Sequence, residues 1–262
     1  MDNFAERYEA VLVPVIFQPW AEEIVRRAAP QDGEHILDLA CGTGILTREV
    51  MRSGISPGGL TGMDLSADML AVARVRATQS SLQAEWVEGS ASQLPFSDDR
   101  FDLTYCQQAL QFFPDRLAAL RELRRVMRNS GRVVFSVQQD LERNPLLKAQ
   151  ADTLDKYVGR EAGDAVRAIC SLPDAGVIQA LFEDAGFGDV EIESVTLTLH
   201  HPEGRAFAAG AMGGMHTGDK LAQASDRERQ QSIDDFLTGL GEYYDGTAIR
   251  FPHASHVITA RA

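Results

Sequence analysis

Apolar and polar positions alternate along the chain with two periods. Between residues 3 and 29, Phe4, Tyr8, Val11 and Leu12 recur near every 3.6 residues and predict helix. Pro14 and Pro19 are expected to bend or break that run into two short helices. His35 to Leu39 is a compact apolar run closed by Gly42-Thr43-Gly44, after which Ile45, Leu46 and Val50 fall at helical spacing and stop near Gly54. The sequence therefore reads strand, glycine turn, helix. The unit recurs: Gly59 to Met63 is strand-like, Ser66 is a helix cap, and Met69, Val72, Ala73 and Arg76 share one stripe. Two further strands are predicted at 84–89 and 101–106, separated by a polar loop holding Pro95, Asp98 and Asp99. A helix over 115–128 leads through Asn129-Ser130-Gly131, read as a left-handed stop, into a strand over 133–137. Five strands alternating with helices predict an α/β fold with a doubly wound, mostly parallel sheet, whose ligands sit beyond the strands' carboxyl ends.

Past residue 140 the pattern loosens. Helices are predicted at 143–158, 174–185, 203–212 and 225–240. A strand over 189–199 alternates with one slip, and a last strand lies near 249–260. There is no repeat, no low-complexity tract and no linker that would free a second domain, so the 262 residues are read as one domain.

Composition narrows the partners. With 44% hydrophobic and 24% charged residues the chain can bury a sizeable core. It carries 25 Lys and Arg against 38 Asp and Glu, a net charge of −13, and neither half is basic. Nucleic acid and anionic membrane surfaces are therefore disfavoured as partners. The opening MDNFAERYEA has acids where a signal peptide has bases, and no segment reaches 18 uninterrupted apolar residues, so no membrane insertion and a cytoplasmic location are expected. Cys41, Cys106 and Cys170 are odd in number and never form a Cys-x-x-Cys pair, which argues against a disulfide framework, and no metal is expected.

The chemistry is concentrated in Leu37-Asp38-Leu39-Ala40-Cys41-Gly42-Thr43-Gly44. A glycine turn between a buried strand and a helix lets a ligand approach the backbone and the helix N–H groups. Asp38 places a charge in an apolar strand, which costs several kcal/mol unless it is paired. Asp64 closes the next strand, 20 residues beyond Gly44. A carboxylate there can accept both hydroxyls of a ribose, a reading that spacing and element order favour over mere capping of the next helix by Asp64 or Ser66. A nicotinamide dinucleotide fits less well, because Thr47 stands where its fingerprint has a third glycine. Cys41 beside the turn reads as compact packing, and Arg121, Arg124, Arg125 and Arg128 as a solvated helix face.

Asp-x-Ala-x-Gly-x-Gly, the acid Asp64, Gly89-Ser90-Ala91 followed by Gln93-Leu94-Pro95-Phe96, and Phe101-Asp102-Leu103 leading to Gln107-Gln108-Ala109-Leu110 occur in one order over residues 34–137. As a set they resemble the class I S-adenosylmethionine-dependent methyltransferases, and more narrowly the small-molecule branch with the ubiquinone and menaquinone C-methyltransferases. The resemblance implies a Rossmann-like, seven-stranded, mostly parallel sheet with an antiparallel edge strand and a helical lid. It divides the domain into an N-terminal helical cap (1–30), a cofactor-binding core (34–140), acceptor-selecting lid segments (141–186 and 203–245) and edge strands (187–199 and 248–261). It also implies S-adenosylmethionine as cofactor and S-adenosylhomocysteine as product. The loop Asp38, Ala40, Gly42, Gly44 would then wrap the methionine part, Asp64 the ribose, and Leu65 and Met69 the adenine face. Gly89, Ser90 and Ala91 would meet the adenine edge, and Gln107 the amino-acid end. Two departures stand out: Ala40 replaces the commoner first glycine, and Ser90 stands where an Asp usually accepts from the adenine amino group.

The expected reaction is in-line transfer of a methyl group to an O, N or C atom of a small metabolite, which demands alignment before it demands a base. Acceptor contacts are expected from Tyr8, Phe17, Trp20, Gln108, Gln111, Phe112 and Phe113. His200, His201, His216 and Gln111 are the candidates for proton handling. Two other readings remain: a protein of this fold that keeps the cofactor as a structural ligand for cyclisation or elimination, and a cofactor sensor or scaffold. A monomer or homodimer is expected.

Overall fold

The structure, a computed structural model, describes residues 4–213, 221 and 224–262. The chain opens with one unbroken helical run: α1 (Phe4–Arg7), a π-helix (Tyr8–Phe17) and α2 (Gln18–Ala28). The expected break at Pro14 does not occur. Pro14 has no N–H and crowds the carbonyl four residues back. In the wider winding the Gln18 N–H bonds to the Val13 carbonyl, five residues back, and the chain passes the proline without a stop. The winding also changes which side chains meet. Nine residues make about two and a half α-turns and opposite faces, but about two π-turns and one face. The Tyr8 and Phe17 rings accordingly lie 4.7 Å apart.

The remaining elements are β1 (His35–Leu39), α3 (Ile45–Arg52), β2 (Gly59–Asp64), α4 (Ala67–Gln79), β3 (Glu85–Glu88), β4 (Phe101–Gln107), α5 (Arg116–Val126), β5 (Met127–Gln138), α6 (Pro145–Tyr157), α7 (Arg160–Arg167), α8 (Ala175–Asp184), β6 (Gly188–His201), α9 (Gly204–Gly213), α10 (Asp226–Gly239) and β7 (Ile249–Arg261). The seven strands form one sheet in the order β3-β2-β1-β4-β5-β7-β6. β1 runs parallel to β2 and β4, β2 to β3, and β4 to β5, while β7 is antiparallel to β5. The Rossmann-like, mostly parallel seven-stranded sheet is thus present. The order reverses between β1 and β4, the switch point at which such sheets bind ligands. Strand 248–261 is not an edge: β7 lies between β5 and β6, and β6 forms that edge.

Asn129-Ser130-Gly131 is not a left-handed stop. These residues lie inside β5, α5 passes directly into extended backbone at Met127, and none of the three has positive φ. Gly131 is needed for close approach instead, since a Cβ there would lie 2.6 Å from Met127 Cε and 2.9 Å from the Arg128 carbonyl. Nor do the arginines expected on a solvated helix face all stand free: Arg128 has passed into β5, and Arg125 lies in the last turn of α5. Arg125 binds Glu122, Asp98 and the Leu94 and Phe96 carbonyls, and Arg128 holds Asp102 at 2.6 and 2.7 Å. These arginines fasten the 94–102 loop.

The chain forms two compact units. One comprises residues 20–138, 172–195 and 255–262. In its core Leu37, Leu39, Phe101, Val133, Phe135 and Val137 from the sheet pack with Leu120, Leu123 and Val126 of α5 and Ile178 and Phe182 of α8. Phe135 and Phe182 meet edge to face at 5.2 Å. The other unit comprises residues 1–19, 139–171 and 196–254 and is mainly helical. Asn144 clamps the Ala254 backbone there through both ends of its amide, and Gln150 donates to the Ala211 carbonyl. Helix α7 had no clear sequence signal; it starts after Gly159, whose φ of +120° ends α6.

Candidate cofactor site

The site is built at the carboxyl ends of β1, β2 and β4, within the first unit. Its centre is the loop from Asp38 to Gly44. Ala40, Gly42 and Gly44 all adopt left-handed backbone, with φ of +56°, +54° and +79°. Ala40, the departure from the motif, carries a conformation that costs a residue with a Cβ about 1–2 kcal/mol. Gly44 is required twice over: a Cβ there would lie 2.6 Å from the Trp86 ring. Gly62, opposite Asp38 in the β1–β2 register, would place a Cβ 2.5 Å from the same indole and 3.1 Å from Cys41 Sγ. Two glycines therefore make the slot into which Trp86 fits beneath the loop. The glycine inside strand β2 was the sequence signal for that close approach; nothing in the sequence said what fills it.

Asp38 is buried, and its charge is answered by α3. Its Oδ2 accepts from the Thr47 N–H at 3.0 Å and from the Thr47 hydroxyl at 2.7 Å. Thr47, which counted against a dinucleotide, is thus the partner of Asp38. Burial nevertheless outweighs these bonds and raises the Asp38 carboxyl from its ordinary 3.8 to about 6, with the Asp64 charge adding to the rise. Asp38 supports the loop from inside.

Asp64 ties three pieces together. Its Oδ2 accepts from the Gly42 N–H and its Oδ1 from the Ser66 N–H, each at 2.8 Å, and its carbonyl accepts from the Gly89 N–H at 3.0 Å. Ser66 caps α4 by accepting from the Met69 N–H at 3.3 Å. The capping reading of this pair is therefore realised, and it leaves the half-buried carboxylate at the strand tip. Burial raises its pKa despite the backbone donors. Leu65 beside it is 74% exposed, a large apolar face on the working edge, with Met69 half-buried. Gly89, Ser90 and Ala91 follow on the next loop, where Ser90 Oγ accepts from the Ser92 N–H at 3.3 Å and keeps a second lone pair. Asp38 pairs with Tyr105 in register, and Gln107 ends β4 two residues further along.

Sequence reasoning missed Thr43 and Arg48. The Thr43 hydroxyl is buried in the loop without a hydrogen-bond partner, and the buried Arg48 guanidinium donates to the Thr43 carbonyl at 2.6 Å. An unmet hydroxyl and a nearby buried cation inside a glycine loop suit the carboxylate of an amino-acid moiety. Cys41 is buried, with burial pushing its thiol well above the ordinary range, so packing is its role.

The acceptor candidates scatter. Trp20 is fully buried and has no surface to offer an acceptor, a correction to the expectation for it. Tyr8 and Phe17 lie in the other unit. Gln108 and Gln111 are buried after β4, Phe112 is 53% exposed and Phe113 is partly buried. His200 is exposed in the other unit; His201 Nδ1 accepts from the Glu203 N–H at 3.1 Å, which closes a local turn. His216 lies outside the described residues. Among the described residues no group of three His, Cys, Asp or Glu is placed to hold a metal ion, and no single helix is long and apolar enough to cross a membrane.

A glycine loop at the switch point, a carboxylate on the neighbouring strand tip and an exposed apolar side chain beside it are the arrangement with which open α/β sheets bind nucleoside-containing ligands. Comparison with known proteins makes this specific. The chain belongs to the ubiE/COQ5 methyltransferase family, which it matches over residues 2–201. A demethylmenaquinone methyltransferase of Staphylococcus epidermidis is 28% identical over 237 residues, covering 85% of this chain and 92% of that one; one of Staphylococcus aureus is 27% identical over 208 residues, covering 74% and 86%. The fold is shared with phosphoethanolamine N-methyltransferase 2 of Haemonchus contortus, solved with S-adenosylhomocysteine (TM-score 0.62, 19% identity, 98% of this chain and 57% of that one). The protein is an S-adenosylmethionine-dependent methyltransferase acting on a small molecule. The two readings without methyl transfer gain no support.

Proposed function

We propose that the acceptor is a hydroxylated aromatic ring, methylated at a ring carbon, with reduced naphthoquinones as the model class. The relatives' names support this. The observation that carries the cofactor assignment is Asp64, held by two backbone N–H groups at the tip of β2 beside the exposed Leu65. In this reading Asp64 takes the ribose hydroxyls and Leu65 and Met69 the adenine face. Gly89, Ser90 and Ala91 take the adenine edge, and Ala40, Gly42, Gly44, Thr43 and Gln107 the amino-acid end. Asp38 acts one step back, by fixing the loop through Thr47.

S-adenosylmethionine supplies an electrophilic methyl carbon on a sulfonium. The protein's part is to hold the accepting atom about 3–3.5 Å from that carbon and in line, with water excluded. No base is assigned to His200 or His201. Acceptor selection is assigned to segments 1–30, 141–186 and 203–245, with the paired rings of Tyr8 and Phe17 as their aromatic contribution. The three cysteines are free and buried, which fits a reducing cytoplasm.

Calorimetry with S-adenosylhomocysteine on wild type and Asp64→Ala tests the site. A loss of at least tenfold in the variant is expected, and unchanged affinity would refute the ribose assignment. Incubation of 1,4-dihydroxynaphthalene with S-adenosylmethionine under anaerobic, reducing conditions tests the acceptor, read by mass spectrometry after mild oxidation, which turns a carbon-methylated diol, but not its isomeric O-methyl ether, into a methylated naphthoquinone. Production of an O-methyl ether alone would overturn the ring-carbon reading.

A further inference from the structure

Gln108 follows directly on β4 with a φ of +54°, a left-handed conformation that costs a glutamine about 1–2 kcal/mol. It is 8% exposed, and almost every polar atom it has is committed. Its backbone N–H donates to the Ser136 carbonyl at 2.9 Å, and its carbonyl accepts from Gln111 Nε2 at 3.1 Å. Its own Nε2 donates to the fully buried Ser255 hydroxyl at 2.7 Å. The exception is Oε1, which is buried and has no hydrogen-bond partner. A flipped amide would keep the Ser255 bond, with the hydroxyl as donor, but would leave Nε2 as the unmet group in the same place, so one polar atom of Gln108 stays unmet in either orientation. An unmet buried acceptor costs about 1–3 kcal/mol. Backbone strain and an unmet polar atom thus fall on one residue, at the carboxyl end of the strand beside the switch point.

The surroundings say what would complete it. Residues 107–113 and 133–138 contain no ionisable side chain, while Arg116 donates to the Gln111 carbonyl at 2.9 Å and His256 pairs with Val137 in register. An unmet amide oxygen there suits a ligand that brings a hydrogen-bond donor. We infer that Gln108 Oε1 accepts a hydrogen bond from a ring hydroxyl of the methyl acceptor, fixing the ring's orientation and confining substrates to rings with a free hydroxyl. This rests on the aromatic-acceptor reading above. The bond leaves the proton on the hydroxyl oxygen and draws its electron density toward the ring, which makes the ring carbon a better nucleophile. Access requires the short 3-10 turn Leu110–Phe112, which carries Gln111 and the exposed Phe112, to yield.

The test compares anaerobic binding of 1,4-dihydroxynaphthalene and 1,4-dimethoxynaphthalene to the full-length protein saturated with S-adenosylhomocysteine. Wild type is expected to prefer the diol about tenfold, by about 1.4 kcal/mol. In Gln108→Leu that preference should vanish while the dimethoxy ring binds as before. Ser255→Ala, which frees the amide, should reduce the preference about threefold and serves if the leucine variant misfolds. Equal binding of the two rings by wild type, a preference retained in Gln108→Leu, or binding of neither ring overturns the inference. S-adenosylhomocysteine affinity, read first, separates these outcomes: its loss in wild type would strike the cofactor site and not Gln108.

Discussion

Replacing Asp38 by asparagine is expected to make the cofactor-free protein more stable and a poorer binder of cofactor. The carboxyl is buried and rises from 3.8 to about 6 on folding. At about 1.4 kcal/mol per pH unit, that difference penalises the ionised folded protein by about 3 kcal/mol. Because the folded-state pKa is the raised one, the contribution of Asp38 to stability is fully present below pH 3.8 and is lost as pH rises through about 6. Asparagine keeps an oxygen for both Thr47 bonds and carries no charge. Its added N–H groups cost about 1–3 kcal/mol if unmet, so a net gain of up to about 2 kcal/mol is expected above pH 6.5 and a loss of up to about 2 kcal/mol near pH 4. Urea unfolding of parent and variant at pH 4.5 and 7.5, followed by tryptophan fluorescence, measures this. The variant's advantage should grow with pH. If it is constant, or if the variant is the less stable at pH 7.5, burial does not burden Asp38 and the reasoning fails. Cofactor binding should move the other way, with the sulfonium cofactor losing more affinity than its neutral-sulfur product.

Three further outcomes are expected. Gly44→Ala meets both a left-handed φ and the Trp86 ring, so it should cost about 2–4 kcal/mol in urea unfolding; adding Trp86→Leu should recover the steric part only, and full recovery would deny the backbone strain. Ala40→Gly removes left-handed strain at the expense of chain entropy, for a net gain of up to about 1 kcal/mol; a loss of stability would show that the alanine methyl packs. His253 is buried uncharged, with burial lowering its pKa from 6.5 to about 3. Its contribution is present above pH 6.5 and lost as pH falls toward 3, at most about 5 kcal/mol, so His253→Gln should unfold over a shallower acid limb than the parent.

The alternation of apolar runs, glycine turns and capped helices determined the first five strands, their order of helices and the mostly parallel sheet, because hydrophobic period and turn chemistry are local properties. It also marked Asp38 and Asp64, since a carboxylate in or at the end of an apolar strand is conspicuous wherever the chain goes. Tertiary structure alone decided which partner meets each group. Thr47 answers Asp38, Trp86 fills the slot over Gly44 and Gly62, and Ser255 orients Gln108; the last two join residues 42 and 147 positions apart. It also overrode local signals: π winding carried the chain past Pro14, sheet pairing drew Asn129-Ser130-Gly131 into β5, and β7 entered the sheet inside its edge. Local propensities are worth at most about 1 kcal/mol per ordinary residue, whereas a completed ladder and a filled core act over many residues together.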